Sequence, residues 1–563
     1  MNRIPIKCIL PLGWLLLATG LQAQNPGLPM DIPLFLSGNF GELRSNHFHS
    51  GLDFKTQSVT GIPVKAVDDG YIARINVSPY GYGKALYINH PGGTTSVYAH
   101  LDRFAPDVEA LVCDSQYRRE AFAVNLYFPA GKLPVKKGER IAWSGNSGSS
   151  GGPHLHFEIR ETKSEKAVDP LPFFKSKITD TRPPEIRGLM LYPQRGKGIV
   201  NGKTANQPVA LVKNKAGQPG VDQPVTAWGA IGVGIKAYDR MNGTTNIYGV
   251  NEIVLKVDGK TVFHSVMNRF SFDETRYLNA LIDWHEWTEN HSFYMKSFID
   301  PGNLLSIYRS SGNGIILINE EKTYQLEYLL TDVYGNETSL KFNIRGEKAP
   351  VPDKRPGTVY FPFHRYNSFS GKGITLEVPR KSLYADLYLN IDTVAGHSPY
   401  APQYIIGERI PLHSHCPLTL EIPTDTHPDK SKYGIVQLLK EEKNWLGGKY
   451  KGGKIRATTR ELGTFTVEAD TVPPVITPVN RQKWTANRRI AFKIDDDLSG
   501  IASFRGTLDG QFILFEYDAK NRSLYTGSGR MKKRTETPSA TSLHLVVRDK
   551  AGNESEFTAT VLL

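Results

Sequence analysis

Five residues in the first third of the chain have the types and spacing for hydrolytic chemistry: His49, Asp53, His100, His154 and His156. The clearest run is Gly152 to Ile159, where Leu155, Phe157 and Ile159 alternate with His154, His156 and Glu158. Alternation with period two predicts a strand with one buried face. Both imidazoles then leave the same side of a sheet, roughly 6.5 to 7 Å apart at their Cα atoms for a rise of about 3.3 Å per residue. In an extended chain from His49 to Phe54, positions 49, 51 and 53 face one way, and Gly51 leaves open space between His49 and Asp53. A third run, Thr94 to Leu101, puts Ser96, Tyr98 and His100 on one face and Val97, Ala99 and Leu101 on the other, so that His100 joins the polar side.

Two histidines and one carboxylate are an established ligand set for a hydrolytic zinc whose fourth position stays open, and His49, Asp53 and His156 supply it. With a single carboxylate the centre keeps net positive charge, which lowers the pKa of bound water and polarises a scissile carbonyl. His100 and His154 can then move a proton and stabilise an oxyanion. No HExxH helix is present, so histidine takes the role of the usual glutamate base. Each histidine taken singly reads as an ordinary surface or core residue, and the joint pattern carries the reading. His47, without a carboxylate partner of its own, and His90, ahead of Pro91-Gly92-Gly93, read as structural. Glu158 reads as a solvated strand-end carboxylate, with support of His156 as the lesser alternative.

The segments His49-x-x-x-Asp53, Tyr98-Ala99-His100-Leu101 and His154-Leu155-His156-Phe157-Glu158 resemble the motifs of the lysostaphin-type (β-lytic) zinc metalloendopeptidases. Phe40-Gly41, Gly81-Tyr82-Gly83 and Gly145-Asn146-Ser147-Gly148 extend the resemblance over about residues 34 to 160. It implies an antiparallel β-sheet crossed by a groove, Zn2+ held by His49, Asp53 and His156, and His100 with His154 as the catalytic pair. The implied substrates are the peptide cross-links and stems of bacterial cell-wall peptidoglycan. Some relatives have lost ligands and activate other wall hydrolases without catalysis, but all five positions are kept here. The chain departs from the family between Phe104 and Val135, where a short connection becomes an insertion at about 105–134 that includes Cys113 and Arg118-Arg119-Glu120. A loop of that length either walls the groove or is a surface excursion.

Arg3 and Lys7 precede an apolar run from Cys8 to about Leu21, closed by Leu21-Gln22-Ala23, the form of a secretory signal peptide over 1–23. The run is too short for a comfortable span, and no later segment is apolar enough to cross a membrane. The expected location is the periplasm, the cell envelope or the exterior, with peripheral association at most. The formal charge of +12 suits an anionic envelope surface. Nucleic acid is excluded as a partner, because basic runs such as Lys532-Lys533-Arg534 are short and lack aromatic platforms. Cys113 and Cys416, the two cysteines beyond the leader, make no disulfide framework and are expected to be free and buried.

A chain of 563 residues exceeds a single core. Weak helical periodicity and alternating segments such as Leu543 to Val547 predict an all-β fold. The expected order is an antiparallel-sheet peptidase domain at 24–178 followed by about three β-sandwich-like modules, at 179–347, at 348–468, which reads only as β-rich, and at 469–563. An internal repeat marks the first and last of these. Asp180-Thr181-Arg182-Pro183-Pro184 recurs as Asp470-Thr471-Val472-Pro473-Pro474, and Asp332-Val333-Tyr334-Gly335-Asn336 recurs as Asp549-Lys550-Ala551-Gly552-Asn553. Asp239-Arg240-Met241-Asn242-Gly243 and Asp497-Leu498-Ser499-Gly500 lie between them. Such modules resemble bacterial immunoglobulin-like or fibronectin-like sandwiches. The first copy is longer, and the aromatic, partly helical stretch Tyr277 to Tyr308 is expected to pack against a neighbour. His413-x-His415-Cys416 lacks a fourth ligand and reads as a loop. These features together predict a secreted zinc endopeptidase acting on wall peptides. The alternatives are a non-catalytic envelope regulator and a peptidase acting on secreted proteins.

Overall fold

Short alternating runs become strands throughout the computed structural model, which describes residues 26–213, 217, 219–309, 312–352, 357–396, 398–526 and 540–562. The signal peptide expected over 1–23 and the Lys532-Lys533-Arg534 run lie outside the described residues. The chain is all-β in character, with mostly antiparallel sheets and a few short helices.

The sheet that carries Asp53, His154 and His156, with His49 and His100 just beyond the ends of its strands, contains β1 (Leu36–Gly38), β2 (Leu52–Lys55), β3 (Gly70–Val77), β4 (Lys84–Asn89), β5 (Thr94–Ala99), β6 (Val124–Tyr127) and β7 (His154–Glu161). Its order is β1-β2-β7-β5-β4-β3-β6. The register pairs His156 with Asp53 on β2 and with Ala99 on β5, and pairs Phe157 with Leu52 and Tyr98. Leu52, Phe54, Tyr98, Leu155 and Phe157 therefore point together into a core closed by Phe174. Phe174 meets the rings of Phe54 and Phe157 edge-on at 5.6 and 5.7 Å. Each such ring contributes about 1.5–3 kcal/mol by burial, so a one-residue slip, which would turn the whole set to the other face, is strongly disfavoured.

The insertion is a helix and an edge strand. Helix α1 (Pro106–Arg119) starts with Pro at its first position, carries Asp107 and Glu109 in the first turn and Arg118 and Arg119 in the last, and stops at Glu120 in the left-handed conformation. The expected loop is thus corrected. Half of the buried stripe is polar, Ser115 and Gln116 beside Val108 and Val112, so hydrophobic periodicity did not disclose it. β6 then pairs with β3 at the sheet's edge.

Residues 185–346 form a nine-stranded sheet, with one parallel pairing between Val225–Tyr238 and Glu337–Gly346. An eight-stranded sheet follows, built on the long strands Gln403–Glu421 and Lys454–Ala469. Two four-stranded sheets from Val475 onward share a core that includes Phe492, Phe515, Leu545 and Val547. His413, His415 and Cys416 sit inside the strand Gln403–Glu421, which corrects the expected loop, and His413 stacks on Tyr277 at 4.0 Å. Cys113 is half-buried, Cys416 is buried, and neither forms a disulfide.

The segments are closely joined. Ala167–Val168 pairs with Arg269–Phe270 and continues the first sheet into the next segment. Phe40 and Phe48 share a core with Phe270, Tyr277 and Leu278, so the Tyr277–Tyr308 stretch packs against a neighbour as expected. The C-terminal sheets fold back on the first domain through Lys84 to Glu516 (2.9 Å, both buried), Arg505 to Glu120 (2.6 Å) and the rings of Tyr117 and Phe512.

Candidate metal centre and its support

Asp53 and His156 are cross-strand partners, so β2 and β7 present both to one face. His49 precedes β2 and is held by its own backbone, its N–H donating to Glu42 O and its carbonyl accepting from Gly41 N. Three atoms converge there: His49 Nε2 is 3.0 Å from Asp53 Oδ1 and 3.0 Å from His156 Nδ1, and His156 Nδ1 is 2.9 Å from Asp53 Oδ1. All three residues are buried.

The expected open space at Gly51 is corrected by the same geometry. A Cβ there would lie 2.2 Å from Phe157 O, so Gly51 lets the chain press against β7. The parity argument for His100 is also corrected. Tyr98 faces the hydrophobic core, while Val97 and Ala99 share a face with His156 and Glu158. An extended chain would carry His100 toward the core with Tyr98. His100 instead follows the last residue of β5 with φ +57°, and that left-handed turn brings its ring to the site. The ring lies 4.8 Å from that of His154 and 5.8 Å from that of His156.

Hydrogen bonds select the tautomer of each imidazole. His49 Nδ1 lies 2.6 Å from Asn39 O, His100 Nδ1 2.9 Å from Ser147 O and His154 Nδ1 2.8 Å from Gly152 O. A carbonyl only accepts, so each Nδ1 carries a proton, which leaves His49 and His100 a lone pair on Nε2, while His154 Nε2 faces Asp53 Oδ1 at 3.3 Å. His156 is turned the other way: its Nε2 donates to Glu158 Oε1 at 2.9 Å, leaving Nδ1 for the shared point. Two nitrogen lone pairs and a carboxylate oxygen thus meet within 3.0 Å. Donors on one zinc at about 2.0–2.1 Å stand roughly 3.3 Å apart, so this set fits a divalent ion after opening by a few tenths of an ångström. Burial opposes a charged His156, but hydrogen bonds to Asp53 and Glu158 outweigh it and hold its pKa up at about 9. Burial likewise works against Asp53, yet the three histidines around it hold its carboxyl well below the usual range. Desolvation of the half-buried His100, with His156 and His154 beside it, lowers it to about 3, so it stays neutral.

Glu158 is fully buried, which corrects its reading as a solvated end group. Its Oε1 accepts from Ser50 Oγ and Tyr82 OH, both at 2.5 Å, as well as from His156, and its Oε2 accepts from Arg160 Nε at 2.6 Å. Arg160 was legible as the next residue on the same strand face, whereas Ser50 and Tyr82 were not. Sequence reasoning also missed Arg44. It lies on the small hairpin of Leu43–Arg44 and His47–Phe48, and its Nη2 donates to Asp53 Oδ2 at 2.9 Å. Gly38 makes room for it, since a Cβ there would lie 2.6 Å from Arg44 Nη2. His47 and His90 stay outside the cluster: His47 meets Ser45 O, and His90 bridges Asp69 O and Ser96 Oγ. A cavity of about 550 Å3 borders the site through Ser147, with Lys84 and Asn146 on one wall and Glu516 and Tyr525 on the other.

Residues 47–116 and 130–170 match peptidase family M23, and residues 358–470 match a Zu5-like domain. The chain carries a lysostaphin-type peptidase family M23 domain. It is 33% identical over 131 residues to lysostaphin of Staphylococcus simulans, covering 23% of this chain and 22% of that one. To the peptidoglycan DD-endopeptidase ShyB of Vibrio cholerae it is 32% identical over 111 residues, 20% of each chain. The chain therefore spans about a fifth of the length of these curated relatives. The crystallised catalytic domain of the antimicrobial peptidase lysostaphin from Staphylococcus simulans is 29% identical, covering 24% of this chain and 89% of that one, with a TM-score of 0.18. No helix among the described residues is long and apolar enough to cross a membrane.

Proposed function

We propose that this protein is a secreted zinc-dependent endopeptidase that hydrolyses peptide bonds in bacterial cell-wall peptidoglycan. The observation that carries this reading is the convergence of His49 Nε2, Asp53 Oδ1 and His156 Nδ1 beside the Nε2 atoms of His100 and His154. The kinship of the domain to lysostaphin and to a peptidoglycan endopeptidase supports the substrate class. His49, Asp53 and His156 would hold the ion, which when bound would activate water and polarise the scissile carbonyl. Arg44 and Glu158 fix the carboxylate and the imidazole that serve as its ligands. The neutral Nε2 of His100 accepts a hydrogen bond from the attacking water and orients it. His154 Nε2, 3.3 Å from Asp53 Oδ1, is placed to carry the proton to the departing amine, because the carboxylate stabilises the imidazolium formed there.

A second reading, an envelope regulator, is favoured by one contact. Lys520 donates to the carbonyl and side chain of Asn146 and to Ser150 O, so the C-terminal sheets rest on the loop that holds His100 and His154. The zinc-loaded full chain incubated with purified peptidoglycan separates the two. Release of new amino termini that stops with chelator, and in His100→Ala and His154→Ala proteins that still bind zinc, supports the peptidase. No release at any zinc level supports the regulator.

A further inference from the structure

Outside the hydrolytic site the chain gathers carboxylates at two further places. Asp180, Asp239 and Asp332 bring oxygen atoms within 4.8 Å of one another, all three residues being buried. Asp470, Asp496 and Asp549 do the same with two buried and one half-buried. The members come from the repeated segments of the sequence, and their local bonding repeats as well. The backbone N–H two residues on donates to Asp180 Oδ1, from Arg182, and to Asp470 Oδ1, from Val472. Asn336 Nδ2 donates to Asp332 Oδ2 and Asn553 Nδ2 to Asp549 Oδ2, each at 2.7 Å. Each asparagine also reaches back to the backbone carbonyl of the first aspartate, Asp180 or Asp470.

The second observation is an unanswered charge. Asp180 is 6% exposed, and its Oδ2 is solvent-shielded with no hydrogen-bond partner. Because Oδ1 is taken by Arg182 N, Oδ2 is the oxygen left for the cluster. In the second trio the half-buried Asp496, its middle member, accepts from Leu498 N and Gly500 N at Oδ2, while its shielded Oδ1 has no hydrogen-bond partner. Among the described residues none of the six carboxylates pairs with a Lys, Arg or His, and the nearby Arg182 and Arg240 turn instead to Glu185. A buried carboxylate left this way costs more than an ordinary missed hydrogen bond.

Both trios stand where one segment meets another. Asp239 exchanges backbone hydrogen bonds with Tyr248, whose hydroxyl donates to Leu36 O in the peptidase core. Tyr334, on the turn of Asp332, donates to Ile178 O at the end of the peptidase domain. At the second trio Asp470 N donates to Lys432 O, and Lys432 Nζ donates to Ala551 O in the turn of Asp549.

We propose that each trio binds a calcium ion, one tying the peptidase domain to the segment after it and the other tying the Zu5-like segment to the C-terminal sheets. Oxygen-only donors from three separate stretches of chain suit a hard cation of flexible coordination, and calcium more than the stricter magnesium. The test is a calorimetric titration of chelator-stripped, zinc-restored full chain with calcium chloride, alongside thermal melting. The wild type takes up two calcium ions per chain and melts several degrees higher with calcium than without. Asp332→Asn and Asp549→Asn each take up one, the double variant none, while near-UV circular dichroism reports all of them folded. His49→Ala, which damages the hydrolytic site, leaves the calcium stoichiometry at two, so failure of either reading is seen separately. No uptake at millimolar calcium, or uptake that the two aspartate variants do not reduce, overturns the proposal.

Discussion

Replacing Glu158 with glutamine isolates the role of the shell around the candidate metal. Three donors converge on Glu158 Oε1, and Arg160 donates to Oε2, so all of the surroundings require an acceptor. Glutamine can present only one oxygen. If that oxygen faces Ser50, Tyr82 and His156, its NH2 opposes Arg160 Nε. If it faces Arg160, its NH2 opposes the N–H of His156 Nε2, and the imidazole must move its proton to Nδ1, the atom offered to the metal. The first arrangement leaves a buried guanidinium without its carboxylate, a loss of about 3–5 kcal/mol when one partner of a buried pair is removed. The second removes a ligand. Loss of such supporting contacts typically lowers metal affinity about 10- to 100-fold, or roughly 1.4–2.8 kcal/mol. Zinc affinity measured by competition with a chelating dye, together with the melting temperature, checks both numbers. An E158Q protein with wild-type zinc affinity and unchanged melting would refute the assigned role.

His100→Ala and His154→Ala should each lower the turnover of peptidoglycan about 10²- to 10⁴-fold, the usual share of positioned proton transfer, with one zinc still bound by elemental analysis. Because His156 is raised to about 9 by its carboxylate neighbours, zinc must displace a proton from it at neutral pH. Apparent zinc affinity should therefore climb about tenfold per pH unit and level off near that value, as calorimetry across a pH series would show. The sign for metal-free stability is opposite: the contribution of His156 is complete below its unfolded value of roughly 6.5 and is lost as pH rises through about 9. Gly51→Ala drives a Cβ into Phe157 O, so it should cost about 1–3 kcal/mol and lower zinc affinity, read by denaturant melts with and without metal.

What could be read in advance follows periodicity. Alternation placed His154, His156 and Glu158 on one face of a strand, and the register of β7 against β2 shows why Asp53 meets His156. His100 reached the site for a reason alternation does not carry, a single left-handed residue at a strand end. Glu158 was misjudged because an acidic residue near a strand terminus is ordinarily solvated. Its burial depends on Arg160 close by in sequence and on Tyr82 and Ser50, which only the folded chain brings near. Helix α1 escaped notice since a buried Ser115 and Gln116 dilute its apolar stripe. The repeated Asp-x-x-Pro-Pro and Asp-x-x-Gly-Asn segments were visible as repeats, but their common purpose was not, for the third carboxylate comes from a middle segment with no fixed spacing. In the second copy it is Asp496, one residue before the Asp497 that the alignment of segments suggested.

Diffraction from crystals of the zinc-loaded full chain, recorded on both sides of the zinc absorption edge, tests the central claim most directly. The account predicts one anomalous peak in contact with His49 Nε2, Asp53 Oδ1 and His156 Nδ1. A zinc peak elsewhere, with those three atoms closed on one another and no density between them, would contradict it.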